Sequence, residues 1–132
     1  MDAQRPYFGS TAGLAQVDDG TNSNRMAIQT SSTAKLRCFI VFGGTIQTQL
    51  DSSASIADNV TFKSALTYAT DNASGALNGA DLAIDPTITV PTGLTTLRIG
   101  QGLTALTGAH IQRITYYNTR LPNAQLQALT AP

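Results

Sequence analysis

Apolar and polar residues alternate with a period of two along most of this chain. In residues 24–30, Met26 and Ile28 fall on one face. In residues 36–42, Leu36, Cys38, Ile40 and Phe42 share one face while Phe39 and Val41 take the other. A strand apolar on both sides is a central strand covered on both sides. Gly43-Gly44 leads into residues 45–51, where Ile46, Thr48 and Leu50 alternate with Thr45, Gln47 and Gln49. Two alternating runs joined by two glycines predict a tight hairpin.

Residues 60–69 set Val60, Phe62, Leu66 and Tyr68 against Thr61, Lys63 and Thr67, a half-buried strand. Asn78-Gly79 divides two short apolar runs and suits a type I′ turn, which needs positive φ at both central residues. Asp71-Asn72, Asp85-Pro86 and Pro91-Thr92-Gly93 punctuate the chain further, and residues 94–99 form another short strand. The last strand, residues 110–117, changes phase: Ile111 and Ile114 cannot both face inward under strict alternation, so a bulge is expected near Gln112-Arg113. Residues 122–129 are the one helical stretch, with Leu126 and Leu129 on one face. Such a short helix is marginal alone and must dock on a sheet. Turn signals every ~8–12 residues with short strands between them predict an all-β antiparallel sandwich or barrel.

The first twenty residues carry little period. Pro6, Gly9, Gly13 and Asp18-Asp19-Gly20 read as an extended N-terminal arm over residues 1–16, with the folded domain over residues 17–132. Tyr7 and Phe8 are the arm's apolar anchor and are expected to lie against another surface or another chain.

Composition narrows the function. At 132 residues the chain makes one domain with a real core. Charged residues are 12%, about half the usual ~25%, which suits a β-rich surface of Thr and Gln or one covered by neighbours. Net charge is zero and no basic stripe exists, so nucleic-acid binding is disfavoured. No apolar run approaches the ~20 residues that span a bilayer. Residues 1–6 lack the apolar core of a signal peptide. A single cysteine, Cys38, excludes an intrachain disulfide and fits folding in a reducing cytosol. Inside the most apolar strand it is expected to act as a small hydrophobe.

Against this background four stretches resemble one family. Asp18-Asp19-Gly20-Thr21-Asn22-Ser23-Asn24-Arg25-Met26 is similar to the Asp-Gly-Thr strand entry of laminin-G-like, concanavalin A-like jelly-roll domains of bacteriophage tail and virion proteins. Residues 62–81 resemble that family's hairpin, residues 91–100 its Leu-Arg-hydrophobic-Gly strand, and residues 108–129 its closing strand and helix. The ordered match covers residues 17–131. The resemblance implies a jelly roll closed by a short C-terminal helix, in a non-enzymatic virion structural, decoration or tail-fibre protein. It also implies a virion location after folding in the bacterial cytoplasm. The expected partners are other virion proteins, copies of itself in a symmetric oligomer with a trimer favoured, and host-surface glycans. Family members usually begin with a further Gly-Thr-hydrophobic strand, and residues 7–16 fill that place without its pattern. The sandwich is therefore expected to be trimmed, with an edge strand short, missing or supplied by a neighbour.

The chain contains no glutamate; all eight acids are Asp. Concanavalin-like glycosidases use a carboxylate pair, typically two glutamates, so hydrolysis on that plan is excluded. Asp18, Asp19, Asn22 and Asn24 form the densest set of oxygen ligands and are the candidate calcium site. The same residue types are also what a tight turn needs. Asp81 and Asp85 are a weaker pair. His110, the only histidine, reads as a strand-end hydrogen bonder or a contact residue. Tyr116 and Tyr117 are expected on opposite faces of the last strand, the exposed one free to stack on a sugar or bury at an interface. The second functional reading is a carbohydrate-binding lectin module that uses calcium.

Overall fold

The computed structural model describes residues 1–4, 11–102 and 109–132. In chain order the elements are β1 (Asp2–Gln4), β2 (Ala12–Asp18), β3 (Arg25–Thr30), β4 (Lys35–Phe42), β5 (Thr45–Ser55), β6 (Thr61–Ala69), β7 (Asn72–Leu77), β8 (Ala80–Asp85), β9 (Thr96–Ile99), β10 (His110–Arg113) and α1 (Asn123–Thr130). They form two five-stranded antiparallel sheets, ordered β10-β1-β6-β7-β8 and β5-β4-β3-β2-β9. The sheets face one another as a sandwich, the all-β architecture that the alternation predicts.

The core lies between them. Leu36, Cys38 and Ile40 of β4 point inward and are fully buried, with Leu14 and Leu50 on the same sheet and Phe62, Leu77 and Leu82 opposite. A second cluster joins Met26 and Ile40 to Ala73 and Ile88. Fully burying one such side chain stabilises the fold by about 1.5–3 kcal/mol. Phe39 and Val41 are buried too, on the outer side of the same strand. Gly75 allows close approach of the sheets: a Cβ there would lie 3.3 Å from both Cys38 Sγ and Leu82 Cδ2.

Both expected hairpins form, with positive φ at Gly43, Gly44, Asn78 and Gly79. A register shift between Ile40 and Val41 pairs Thr48 with Ile40 but Ile46 with Val41, so Gln47 is the extra residue. This bulge explains a departure from simple alternation. Thr48 and Leu50 face the core, while Ile46 turns out and is 58% exposed. The bulge expected near Gln112-Arg113 is also present, since Asp2 pairs with Arg113 and Ala3 with Ile111, leaving Gln112 over.

Two expectations are corrected. The stretch assigned to an extended arm contains β1, which pairs with both β10 and β6, and the first part of β2, where Leu14 is fully buried. A boundary at residue 16 would cut β2. A three-residue strand carries no legible period, and Leu14 is hidden between Gly13 and Ala15. The last strand ends at Arg113 instead of Tyr117, at the position where its neighbour β1 also ends. Residues 114–117 have no strand partner among the described residues, so the ladder stops.

Helix α1 packs on the outer face of β6, β7 and β8. Leu126 is fully buried, whereas Leu129 is 46% exposed and Thr130 takes the inward place expected for it. Thr130 Oγ1 donates to Leu126 O at 2.8 Å and accepts from Gly79 N at 3.1 Å. Arg120 ties the approach to the helix, donating to Asn72 Oδ1 and Asn123 Oδ1. One outer face of the sandwich is thus covered by the helix. No described helix or strand lies on the other.

Candidate functional site

That open face belongs to β5-β4-β3-β2-β9. Residues directly opposite on neighbouring strands point the same way, so the register lays out its surface in rows. One row runs Gln49, Phe39, Ala27, Gln16, Arg98. The next runs Ile46, Val41, Arg25, Asp18, Thr96, and a third holds Asp51, Arg37 and Gln29. Ala27, Phe39 and Val41 form a small apolar cluster beneath the polar groups. Arg25 lies over it, its guanidinium carbon 5.0 Å from the centroid of the Phe39 ring.

Two of the three arginines are neutralised. Arg37 binds Asp51 through both ends of the fork, Nε to Oδ1 at 2.7 Å and Nη2 to Oδ2 at 2.8 Å. Hydrogen bonding to Arg37 holds the Asp51 carboxyl below its ordinary range and pushes Arg37 up. Arg98 Nε donates to Asp18 Oδ2 at 2.8 Å, and Gln16 Nε2 donates to the same oxygen at 2.8 Å. Burial alone would raise the Asp18 carboxyl. The bonds from Arg98, Gln16 and the Gly20 N–H outweigh it and hold Asp18 low.

Arg25 is different. Among the described residues no carboxylate forms an ion pair with it. Its Nη1 donates to the amide oxygen of Asn22, and its Nε is buried without a hydrogen-bond partner. Desolvation lowers its pKa, an effect the Asp18 charge only partly opposes. It remains a cation, spread over an aromatic ring, with Asp18 directly opposite but hydrogen-bonded to Arg98. The face carries Lys35, Arg25, Arg37 and Arg98 against Asp18 and Asp51, so its balance is positive.

The four expected calcium ligands do meet, in the β2–β3 turn beside this face, but their oxygens are engaged. Asp19 Oδ1 accepts from Thr21 N and Thr21 Oγ1 at 2.9 and 2.6 Å, and its Oδ2 accepts from Asn24 Nδ2 at 2.8 Å. Asn24 Oδ1 accepts from Gly43 N at 3.0 Å, and Asn22 Oδ1 from Arg25. Asp18 faces the Arg98 guanidinium. The cluster is a hydrogen-bonded turn whose product is the placement of Arg25. Asp85 likewise accepts from Thr87 N and Oγ1. Among the described residues no group of three or more His, Cys, Asp or Glu side chains gathers to hold a metal ion.

The remaining candidates lie elsewhere. His110 is exposed on β10 in the other sheet, opposite Gln4. Tyr7 and Phe8 lie outside the described residues. Tyr116 and Tyr117 follow β10 and are both exposed, not divided between two faces of a strand. They line a cavity of about 500 Å³ between β6 and residues 113–121, with Ala15 and Ile28 of the facing sheet at its floor. Tyr68 lines it as well; burial and the neighbouring Tyr116 hydroxyl push its phenol up.

Arg25 was not singled out by sequence reasoning. The available signal was the alternation of Arg25, Ala27 and Gln29 with Met26 and Ile28, which marks an outward arginine. That Asp18, directly opposite it, is hydrogen-bonded to Arg98 instead depends on cross-strand register, which one strand's sequence does not carry.

No protein-family model matches the chain, and no curated protein matches it. Solved structures do. The CBM40 domain of the Ruminococcus gnavus IT-sialidase superposes with a TM-score of 0.78 at 19% identity, over 99% of this chain and 80% of that one. The same CBM40 bound to alpha2,3 sialyllactose gives 0.78 at 17% identity, over 98% and 79%. A native heptameric SAP-like pentraxin from Limulus polyphemus gives 0.59 at 11% identity, over 96% and 65%. At these identities the likeness is one of fold, a β-sandwich shared with carbohydrate-binding domains.

Proposed function

We propose that this domain is a non-enzymatic glycan-binding sandwich whose binding surface is the open face of β5-β4-β3-β2-β9. The observation that carries the reading is Arg25, a cation on a positive face that forms no ion pair among the described residues and has an aromatic ring beneath it. Such a site takes a glycan bearing a carboxylate, with Gln29, Gln49 and Arg37 available as donors to hydroxyls. Sialyllactose, which one structural neighbour binds, is a glycan of this class. The absence of glutamate supports binding without hydrolysis. The sequence resemblance adds the setting: a bacteriophage particle, on which copies of the domain in a symmetric oligomer, a trimer favoured, would display the face to host-surface glycans.

A glycan array with paired acidic and neutral ligands tests this. The expected result is binding to carboxylated glycans, lost in Arg25→Ala and kept in Tyr117→Ala. Binding lost in Tyr117→Ala and kept in Arg25→Ala would move the site to the cavity mouth. No binding to any glycan would sink the proposal.

A further inference from the structure

The open face of β5-β4-β3-β2-β9 carries its charge in two groups at opposite ends. At one end Arg25 and Arg98 flank Asp18, which stands directly opposite Arg25 but is hydrogen-bonded to Arg98. At the other, Lys35 and Arg37 flank Asp51, which stands opposite Arg37 and accepts from both ends of its fork. Each group holds two cations and one carboxylate, so each keeps a positive charge over. Neither Arg25 nor Lys35 forms an ion pair among the described residues. Bonding to Arg37 holds Asp51 low, and the nearby Lys35 charge adds to the effect.

The two groups are far apart along one direction. Arg25 pairs with Val41, and from Val41 to Lys35 β4 rises roughly 20 Å at ~3.4 Å per residue. That separation exceeds the length of a single sugar. Between the ends lie Gln29, Gln49 and the partly exposed Arg37, whose amides and guanidinium edge can meet hydroxyls. The strip follows β4 and β3, which are interior strands of the sheet.

We infer that this face takes a linear glycan with acid groups repeated along its length, lying along β3 and β4 with one carboxylate at Arg25 and another at Lys35. This rests on the glycan reading above and makes the ligand an internal stretch of acidic polysaccharide, in place of a lone terminal acid. Two other polyanions fit the face less well. Single-stranded nucleic acid needs aromatic faces for its bases, and the face's one aromatic among the described residues, Phe39, is buried beneath Arg25. An acidic peptide gains affinity from main-chain bonds at a sheet edge, which interior strands do not offer.

The test uses the full chain with oligogalacturonates, oligosialic acids and hyaluronan fragments, each series graded from one acid group to a chain longer than the face. Calorimetry is expected to show affinity in at least one series rising about tenfold or more with length, then levelling once the chain spans both ends. Lys35→Gln removes the charge and keeps much of the stem. It should cost the spanning chain about two- to fivefold, the worth of one exposed ion pair, and the single acid less. Arg25→Ala should weaken every length. A gain that came only from more places to bind along a longer chain would survive Lys35→Gln intact, and that result would overturn the inference. So would a single acid that binds as tightly as the spanning chain, which would leave Arg25 standing as a one-sugar site. Absence of binding at every length would remove both readings together. Equal binding of polyglutamate of matched charge would make the occupant an acidic peptide and overturn the glycan.

Discussion

Arg25 lies across the ring of Phe39, 5.0 Å from its centroid, on the sheet over which no described helix or strand lies. The strands that carry them are adjacent, but the two residues are not directly opposite: Arg25 pairs with Val41, and Phe39 with Ala27. The diagonal reach lets one side chain roof the apolar cluster while its planar face stays at the surface. Replacing Arg25 with Ala should weaken binding of a carboxylated glycan by about tenfold or more, a loss of about 1.4 kcal/mol. Arg25→Lys should recover only part of it, because an ammonium lacks the planar fork. The accompanying stability loss should stay near 0.5–1 kcal/mol, the worth of a partly exposed cation–π contact. Titration calorimetry and thermal melting of both variants separate the two effects.

Asp18 and Asp51 should set the acid limb of the stability curve. Both are held below their ordinary values in the folded state by arginine and hydrogen-bond partners. A depressed folded pKa contributes stability above the unfolded value of about 3.9 and loses it as pH falls through the folded value. Denaturant unfolding should therefore show nearly constant stability down to about pH 5 and a decline below about pH 4. Asp18→Asn should lower stability at neutral pH by about 1–2 kcal/mol, a modest figure because Arg98 keeps partial access to solvent. It should also flatten the acid decline. An unchanged acid slope in that variant would remove Asp18 from the account.

Much of the sandwich was legible because it is written locally. Gly43-Gly44 and Asn78-Gly79 need nothing but positive φ to make their turns, and β4 shows its place inside a sheet by being apolar on both sides, although no described element covers its outer side as the pattern led one to expect. What was not legible depends on pairing between distant segments. Ile46 leaves the core because of a bulge whose cause is register against β4. β1 is three residues long and is a strand only because β6 and β10 flank it. The Asp18-to-Asn24 cluster was visible as a cluster, yet two of the donors that engage its oxygens lie far along the chain, at Arg98 and Gly43. Arg25 stood within the turn motif; that its guanidinium meets Asn22 and Phe39 while Asp18 goes to Arg98 is a property of the assembled sheet.

Thr130 supplies a test of how the helix is held. Its hydroxyl connects the α1 backbone to the Gly79 N–H in the β7–β8 turn. Thr130→Val keeps the volume and the buried methyl while leaving the Gly79 donor unmet. The expected cost is about 1–2 kcal/mol, with the far-ultraviolet circular dichroism of the folded state unchanged. Thr130→Ser, which retains the hydroxyl, should cost less.

The contact between Gly75 and Cys38 yields the last prediction. A Cβ at residue 75 would stand 3.3 Å from Cys38 Sγ, 3.3 Å from Leu82 Cδ2 and 3.4 Å from the Ala65 carbonyl oxygen. All three neighbours must yield, and the backbone oxygen can move least. Gly75→Ala should therefore destabilise by about 1–3 kcal/mol, the usual range for overpacking a filled core. Cys38→Ala in the same chain should restore part of that loss by removing the sulfur, so the double mutant falls short of the sum of the singles. Cys38 itself is fully buried, and burial pushes its thiol up to about 12. Thiolate is the reactive form, so native protein should resist a thiol reagent and label only as fast as it opens. Gly75→Ala should accelerate that labelling in step with its lost stability, which a stopped reaction followed by mass spectrometry would measure. Rapid labelling of the unmutated native protein would show that the two sheets do not meet tightly at this point.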